Sequence, residues 1–163
     1  MSRSEFDIIT SFFADSDAAF LTDQVRCGIG DDGAQLAVPD GKLLTVSMDV
    51  LVAGVHFPAD AGADLIAQRA LAVNLSDLAA MGAQPLAFTL GLTLPHFDAD
   101  WLAAFSAGLG KLARRFDCPL IGGDLTRGPL AIAIQVHGSN DPDGGIQRSR
   151  ARPGDRVYVT GTL

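Results

Sequence analysis

The stretch GADLIAQRALAVNLSDLAAMGAQPLAFTLGLTLP, residues 62–95, decides the fold. Its first part is a long, alanine-rich run of helical character that stops at Gly82, a residue suited to ending a helix. Its second part, Pro85 to Pro95, is apolar on both faces. That is the pattern of a strand buried inside a sheet, not of one wetted on one side. A long helix running straight into a buried strand calls for layers, with helices packed on a sheet.

The flanking sequence extends this pattern. DADWLAAFSAGLGKLARRF, residues 98–116, is a second long helix, with Trp101, Phe105, Leu109, Leu112 and Phe116 along one face. Arg114 and Arg115 sit in its last turn, where cations suit the helix dipole. CPLIGGDLT, the strand LAIAIQVHG, a Gly- and Pro-rich loop over 139–155 and the strand RVYVTG follow. Toward the N-terminus, Ser4–Phe13 reads as a short helix with Phe6, Ile9 and Phe13 on one side. GAQLAV and LLTVSMDVLV read as strands joined by a PDGK turn and are expected to pair as a hairpin. The order predicts an α/β fold, one mixed β-sheet with helices packed on one face.

With 163 residues, 48% of them hydrophobic, the chain is long enough for one well-filled core. Twelve Lys and Arg against 19 Asp and Glu give a net charge of −7, which argues against non-specific nucleic-acid binding. The two cysteines, Cys27 and Cys118, have neither disulfide-framework nor zinc-site spacing, and a reducing cytoplasmic setting is expected. No run of about 18 uncharged apolar residues is present, so no membrane span is expected.

Carboxylates recur where apolar elements meet turns. GIGDDG holds Asp31 and Asp32 among glycines, TVSMDV holds Asp49, NLSD holds Asn74 and Asp77, and IGGD holds Asp124. Asn74 and Asp77, spaced i and i+3, share one helix face, and the apolar surroundings predict that both are buried. A buried carboxylate takes up a proton or finds a cation. The alternative for Asp77 is a cap on a second helix, and for the others ordinary turn aspartates. All these donors are oxygens, and His56, His96 and His137 are scattered. Such a set suits Mg²⁺ with substrate phosphates, not zinc. No GxxxxGK[ST] is present, and the glycines of GIGDDG are read as permitting a turn that lets Asp approach a metal.

GIGDD, SMDVLVAGVHF, ALAVNLSDLAAMGAQP, LTLP, LIGGDLTRGPL and RPGDRVYVTGTL, in this order, resemble the thiamine-monophosphate kinases along essentially the whole chain. These belong with aminoimidazole ribonucleotide synthetase, selenophosphate synthetase and the hydrogenase maturation protein HypE. The resemblance implies the N-terminal domain of the aminoimidazole ribonucleotide synthetase-like fold and Mg²⁺-dependent phosphoryl transfer from ATP to thiamine phosphate. It implies Asp32, Asp49, Asp77 and Asp124 as Mg²⁺ ligands, helped by Ser47 and the backbone of Met48. It places ATP at Gly123, Asp124 and Arg148, and thiamine phosphate at His56. Leu125 stands where the family carries a hydroxyl, and Met48 offers a metal only its main-chain carbonyl. The resemblance also implies a homodimer formed through the sheet. On this reading residues 1–163 form one ATP- and Mg²⁺-binding domain, and the ending VTGTL suggests that a C-terminal domain is missing. A non-catalytic dimerisation fragment and a related ATP-dependent synthetase are the competing readings.

Overall fold

A computed structural model describes residues 4–159 and 161. The N-terminal helix α1 spans Glu5–Ile9 and runs on as one π-helical turn, Thr10–Ala14. It starts with a capping box. The Asp7 N–H donates to Ser4 Oγ at 3.2 Å, and the Ser4 N–H donates to Asp7 Oδ2 at 3.0 Å. Strands β1 (Val25–Cys27) and β2 (Gln35–Leu36) form a small antiparallel pair. The main elements are β3 (Leu43–Val52), α2 (Ala63–Ala80), β4 (Gln84–Leu94), α3 (Ala99–Arg115), β5 (Leu120–Arg127) and β6 (Ala131–Asn140).

The main sheet runs β3-β6-β4-β5, with β4 and β5 parallel and the other pairs antiparallel. It is the mixed sheet the sequence predicts. The parallel pair is joined through α3, the crossover that parallel strands require. The central position of β4 explains why its sequence is apolar throughout. Leu90, Leu92 and Leu94 join Ile132, Ile134 and Val136 of β6 in the core under the helices. Each such side chain, fully buried, contributes about 1.5–3 kcal/mol. From α3, Leu102, Phe105, Leu109 and Leu112 reach the same core. Asp98 caps that helix, its carboxylate accepting from Asp100 N and Trp101 N at 3.0 Å each.

Two expectations are corrected. The hairpin of residues 33–38 with 43–52 does not form. β2 pairs with β1, and β3 pairs with β6, Leu43 opposite Asn140 and Val52 opposite Ala131. The turn at PDGK permitted a hairpin, but an apolar alternation does not name its partner. RVYV, residues 156–159, takes no strand conformation and leaves Val157 and Tyr158 exposed; the end of that predicted strand includes Thr160, outside the described residues. Phe6, Ile9 and Phe13 of the first helix do share one side, with unequal burial. Phe13 is buried, whereas Phe6 is 80% exposed and lines a cavity described below.

On the sheet face away from α2, β3 presents Leu44, Val46, Met48 and Val50, each close to half exposed. At the β4–β5 end of that face, Val25 packs with Ala87 and Ile121, so β1 and β2 cover it.

Candidate metal and nucleotide site

The carboxylates singled out above fall into two groups. The first lines a cavity of about 610 Å³ between the glycine loop 28–34, the N-terminal helix and the β4–β5 edge of the sheet. Asp31, Asp32 and Asp124 line it together with Gly30, Gly122 and Gly123, and none of the lining residues is Lys, Arg or His. The Asp31 carboxylate is turned onto its own loop, accepting from the Asp32 N–H at 2.8 Å. Asp31 thus shapes the turn, in the manner of an aspartate bonding its neighbouring backbone. Of the three loop glycines only Gly30, at φ 129°, needs glycine for its backbone; Gly28 and Gly33 do not.

Asp124 does not lie past a strand but inside one, since β5 continues to Arg127. What the glycines before it provide is closeness. A Cβ on Gly123 would fall 1.9 Å from the Leu90 carbonyl oxygen. Glycine there lets β5 approach β4 and brings the backbone beside Asp124 to the cavity wall.

The second group lies at the opposite edge. Ser47 Oγ donates to Asp77 Oδ2 at 2.6 Å, and the Asp49 N–H donates to Asn74 Oδ1 at 3.0 Å. Helix α2 is continuous through Ser76 and Asp77, so neither caps a second helix. Asn74 is buried as predicted, but Asp77 is exposed, together with Ala72, Ser76, Ala79 and Ala80. Alanine is tolerated at a helix surface, and an alanine-rich helix carries little information about which side is wet. Met48 turns its side chain to the other face, leaving only its backbone near this group.

β6 and β4 lie between β3 and β5. Three strand spacings of about 4.8 Å put the strand members of the two groups, Asp49 and Asp124, about 14 Å apart across the sheet. Among the described residues, no three His, Cys, Asp or Glu side chains come together as a metal-holding group. Each group by itself still fits Mg²⁺ in its chemistry. The donors are hard oxygens, and Mg²⁺ typically takes one or two protein carboxylates and completes its shell with phosphate oxygens and water.

His56 and Arg148 lie in neither group. His56 Nδ1 accepts from the Val52 N–H at 3.1 Å and helps close the turn after β3. Arg148 opens a 3-10 turn, Arg148–Arg150, whose segment is tied to the end of α2 by the Ile146 N–H donating to Met81 O at 3.0 Å. What the sequence reading missed is the part of the N-terminal helix in the cavity: Phe6, Ile9 and Phe13 form one wall. Their spacing along one side of the helix was the available signal.

Residues 30–139 match the family described as AIR synthase related protein, N-terminal domain. The chain belongs to this family. The match starts inside the glycine loop and runs through β6, so the family region takes in both carboxylate groups. Among curated proteins, the family member described here is 49% identical over 162 residues to the thiamine-monophosphate kinase of Salmonella typhimurium. That alignment takes in 99% of this chain and 49% of the relative, so the chain spans about half the length of the curated relatives it matches. Among solved structures, thiamine-monophosphate kinase from Stenotrophomonas maltophilia K279a is 46% identical with a TM-score of 0.72, over 76% of this chain and 39% of that one. A structure of AaThiL complexed with AMPPCP and TMP is 26% identical, with a TM-score of 0.61, over 63% and 34% of the two chains.

Proposed function

We propose that the chain is the N-terminal, metal- and phosphate-binding domain of a thiamine-monophosphate kinase, completed by a second domain outside residues 1–163. The reaction is ATP plus thiamine phosphate giving thiamine diphosphate plus ADP. The observation that carries the proposal is that Asp32 and Asp124, 92 residues apart in sequence, line one cavity without a cationic residue in its wall. It occurs in a chain resembling such kinases along 99% of its length. The AaThiL complex with AMPPCP and TMP supports ATP as donor and thiamine phosphate as acceptor.

The acceptor is a phosphate oxygen that is already ionised, so no side chain of this domain is assigned as a general base. The work is alignment and charge neutralisation. Asp32, Asp49, Asp77 and Asp124, with Ser47 Oγ and the Met48 carbonyl, are the groups that would hold Mg²⁺. When bound, the ions neutralise charge on the phosphate oxygens. The backbone at Gly123, held tight against β4, and Asp124 would orient the ATP phosphates, and Arg148 would approach them. His56 would face the thiamine phosphate. The division of the carboxylates between the β3 and β5 edges, about 14 Å apart across the sheet, is the reason for placing completion of the site outside this chain alone.

The exposed row Leu44, Val46, Met48 and Val50 supports a homodimer formed through the sheet, since a contiguous apolar face is the usual mark of an interface. The free Cys27 and Cys118 fit a reducing, cytoplasmic setting. Among the described residues, no helix is long and apolar enough to cross a membrane. The decisive assay incubates the full-length protein with ATP, Mg²⁺ and thiamine phosphate. Thiamine diphosphate is expected, and its absence overturns the proposal. The second reading, a dimerisation fragment without nucleotide chemistry, draws on the same apolar row. Dimerisation without affinity for Mg·AMPPCP in the full-length protein would favour it.

A further inference from the structure

We propose that Asn74 is the positioning residue of the Ser47–Asp49–Asp77 group, fixing the β3 edge strand against α2 so that the two carboxylates face one cation. The proposal rests on the metal reading above and goes beyond it to a side chain outside the ligand set.

Asn74 is fully buried in the middle of α2. Asparagine is a poor helix former, and a buried amide requires hydrogen-bond partners at both ends. A leucine in this apolar helix would pack without either requirement. Both ends of the Asn74 amide are occupied. Its Nδ2 donates to the Ala70 carbonyl oxygen at 2.9 Å, one helical turn back, and its Oδ1 accepts from the Asp49 N–H at 3.0 Å. The first bond fixes the rotamer, and the second reaches across to the strand.

The strand needs that contact. β3 is an edge of the main sheet, paired only with β6, and α2 reaches it through side-chain bonds at two points. The Asp49 N–H finds its acceptor in Asn74. Three residues further along the helix, Asp77 accepts from Ser47 Oγ. Asn74 and Asp77 lie about 4.5 Å apart along the helix, and Ser47 and Asp49 about 6.6 Å apart along the strand, each pair on one face. Helix and strand are therefore held at two neighbouring points. Without Asn74 the ladder with β6 and the Ser47–Asp77 bond still hold β3, but the backbone at Asp49 loses its tie to α2, and the Asp49 carboxylate loses its set direction relative to Asp77.

The test has a metal-free and a metal-loaded part. In the unsubstituted protein, amide hydrogen exchange of Asp49 should be as slow as that of β3 residues bonded to β6. Exchange at a loop-like rate overturns the proposal without any variant. Two substitutions follow. N74L removes both bonds, and N74T keeps a hydroxyl able to bond Ala70 O but too short to reach Asp49. In either folded variant, Asp49 exchange should quicken by about tenfold, the size of one hydrogen bond. Affinity for Mn²⁺ in the presence of AMPPCP, read by electron paramagnetic resonance, should fall by a similar factor. Mn²⁺ affinity within twofold of the parent in a folded variant overturns the proposal. D77A separates the two levels. If D77A loses Mn²⁺ while N74L and N74T keep it, only the role of Asn74 fails. If D77A binds Mn²⁺ as the parent does, the metal reading fails and this inference falls with it.

Discussion

Alanine at position 123 should be among the most damaging small substitutions in the chain. The added Cβ would lie 1.9 Å from the Leu90 carbonyl oxygen, 2.7 Å from its carbonyl carbon and 2.9 Å from its nitrogen. All three atoms are backbone of the central strand, so no side chain can swing away. Restoring ordinary contact requires β5 to move from β4 by more than about 1 Å. Such overpacking costs about 1–3 kcal/mol, and the weakened ladder bonds add about 1 kcal/mol. We expect a loss of about 3 kcal/mol for Gly123→Ala. For a domain of this size that lowers Tm by about 6–12 °C. Gly33→Ala is the matched control in the same cavity wall. Its Cβ would meet nothing within 4 Å, and its φ lies outside the left-handed region. It should melt within about 2 °C of the parent, as a surface change of under 0.5 kcal/mol requires. Circular dichroism melts of the three proteins decide the matter. If Gly123→Ala melts with its parent, the close approach of β5 to β4 is wrong, and with it the account of how Asp124 reaches the cavity.

Other outcomes follow from the same geometry. Asp77→Ala should weaken Mg·AMPPCP binding by at least roughly 10-fold in calorimetry, the lower end of what losing even an outer partner of a metal produces; unchanged affinity removes Asp77 from the metal set. Gly108→Ala would set a Cβ 2.4 Å from the Asp64 carbonyl oxygen, where α3 crosses α2, and should lower the urea midpoint by an amount equivalent to about 1–3 kcal/mol. Burial, aided by the neighbouring Asp117 charge, pushes the Cys118 thiol from 9.0 up to about 12. The unfolded chain therefore releases this proton first as pH rises, and the stabilisation by the neutral thiol, complete below pH 9, should be lost steadily between pH 9 and 12. Cys118→Ala should flatten that part of a urea-stability profile. If the proposed homodimer forms through the exposed row of β3, Met48→Lys should shift light scattering from dimer toward monomer, and an unchanged mass removes this row as the interface.

The long elements were legible because their patterns are long. Eighteen residues of α2 and eleven of β4 leave little room for another period, and the Asp98 cap and the terminal arginines of α3 bound it at both ends. The partner of β3 was not legible. Leu43–Val52 announces a strand, but its ladder is made with residues near the far end of the chain, and local turn chemistry pointed to a nearer neighbour. Burial of Asp77 was misread because alanines mark helix more strongly than they mark core. The candidate aspartates were all visible in the sequence, although Asp49, Asp77 and Asp124 lie inside β3, α2 and β5 and not at their boundaries. Their division between two sheet edges was not, since it follows from the strand order β3-β6-β4-β5 and not from any motif.

That strand order also sets a timetable for biosynthesis. Thr45 of β3 and Asn140 of β6, which meet in the sheet, are 95 residues apart in sequence. At roughly 5–20 residues per second on the ribosome, β3 emerges about 5–20 s before the strand it pairs with. For that interval LLTVSMDVLV is an apolar, β-prone segment of the kind that self-associates, interrupted only by the charge of Asp49. Helix α2 arrives much sooner, with Asn74 only 25 residues beyond Asp49 and Asp77 only 30 beyond Ser47. The contacts that tie this strand to α2 are thus available to the nascent chain well before the ladder with β6. Loss of either should appear as lower soluble yield during synthesis, even where the purified protein, once folded, melts normally.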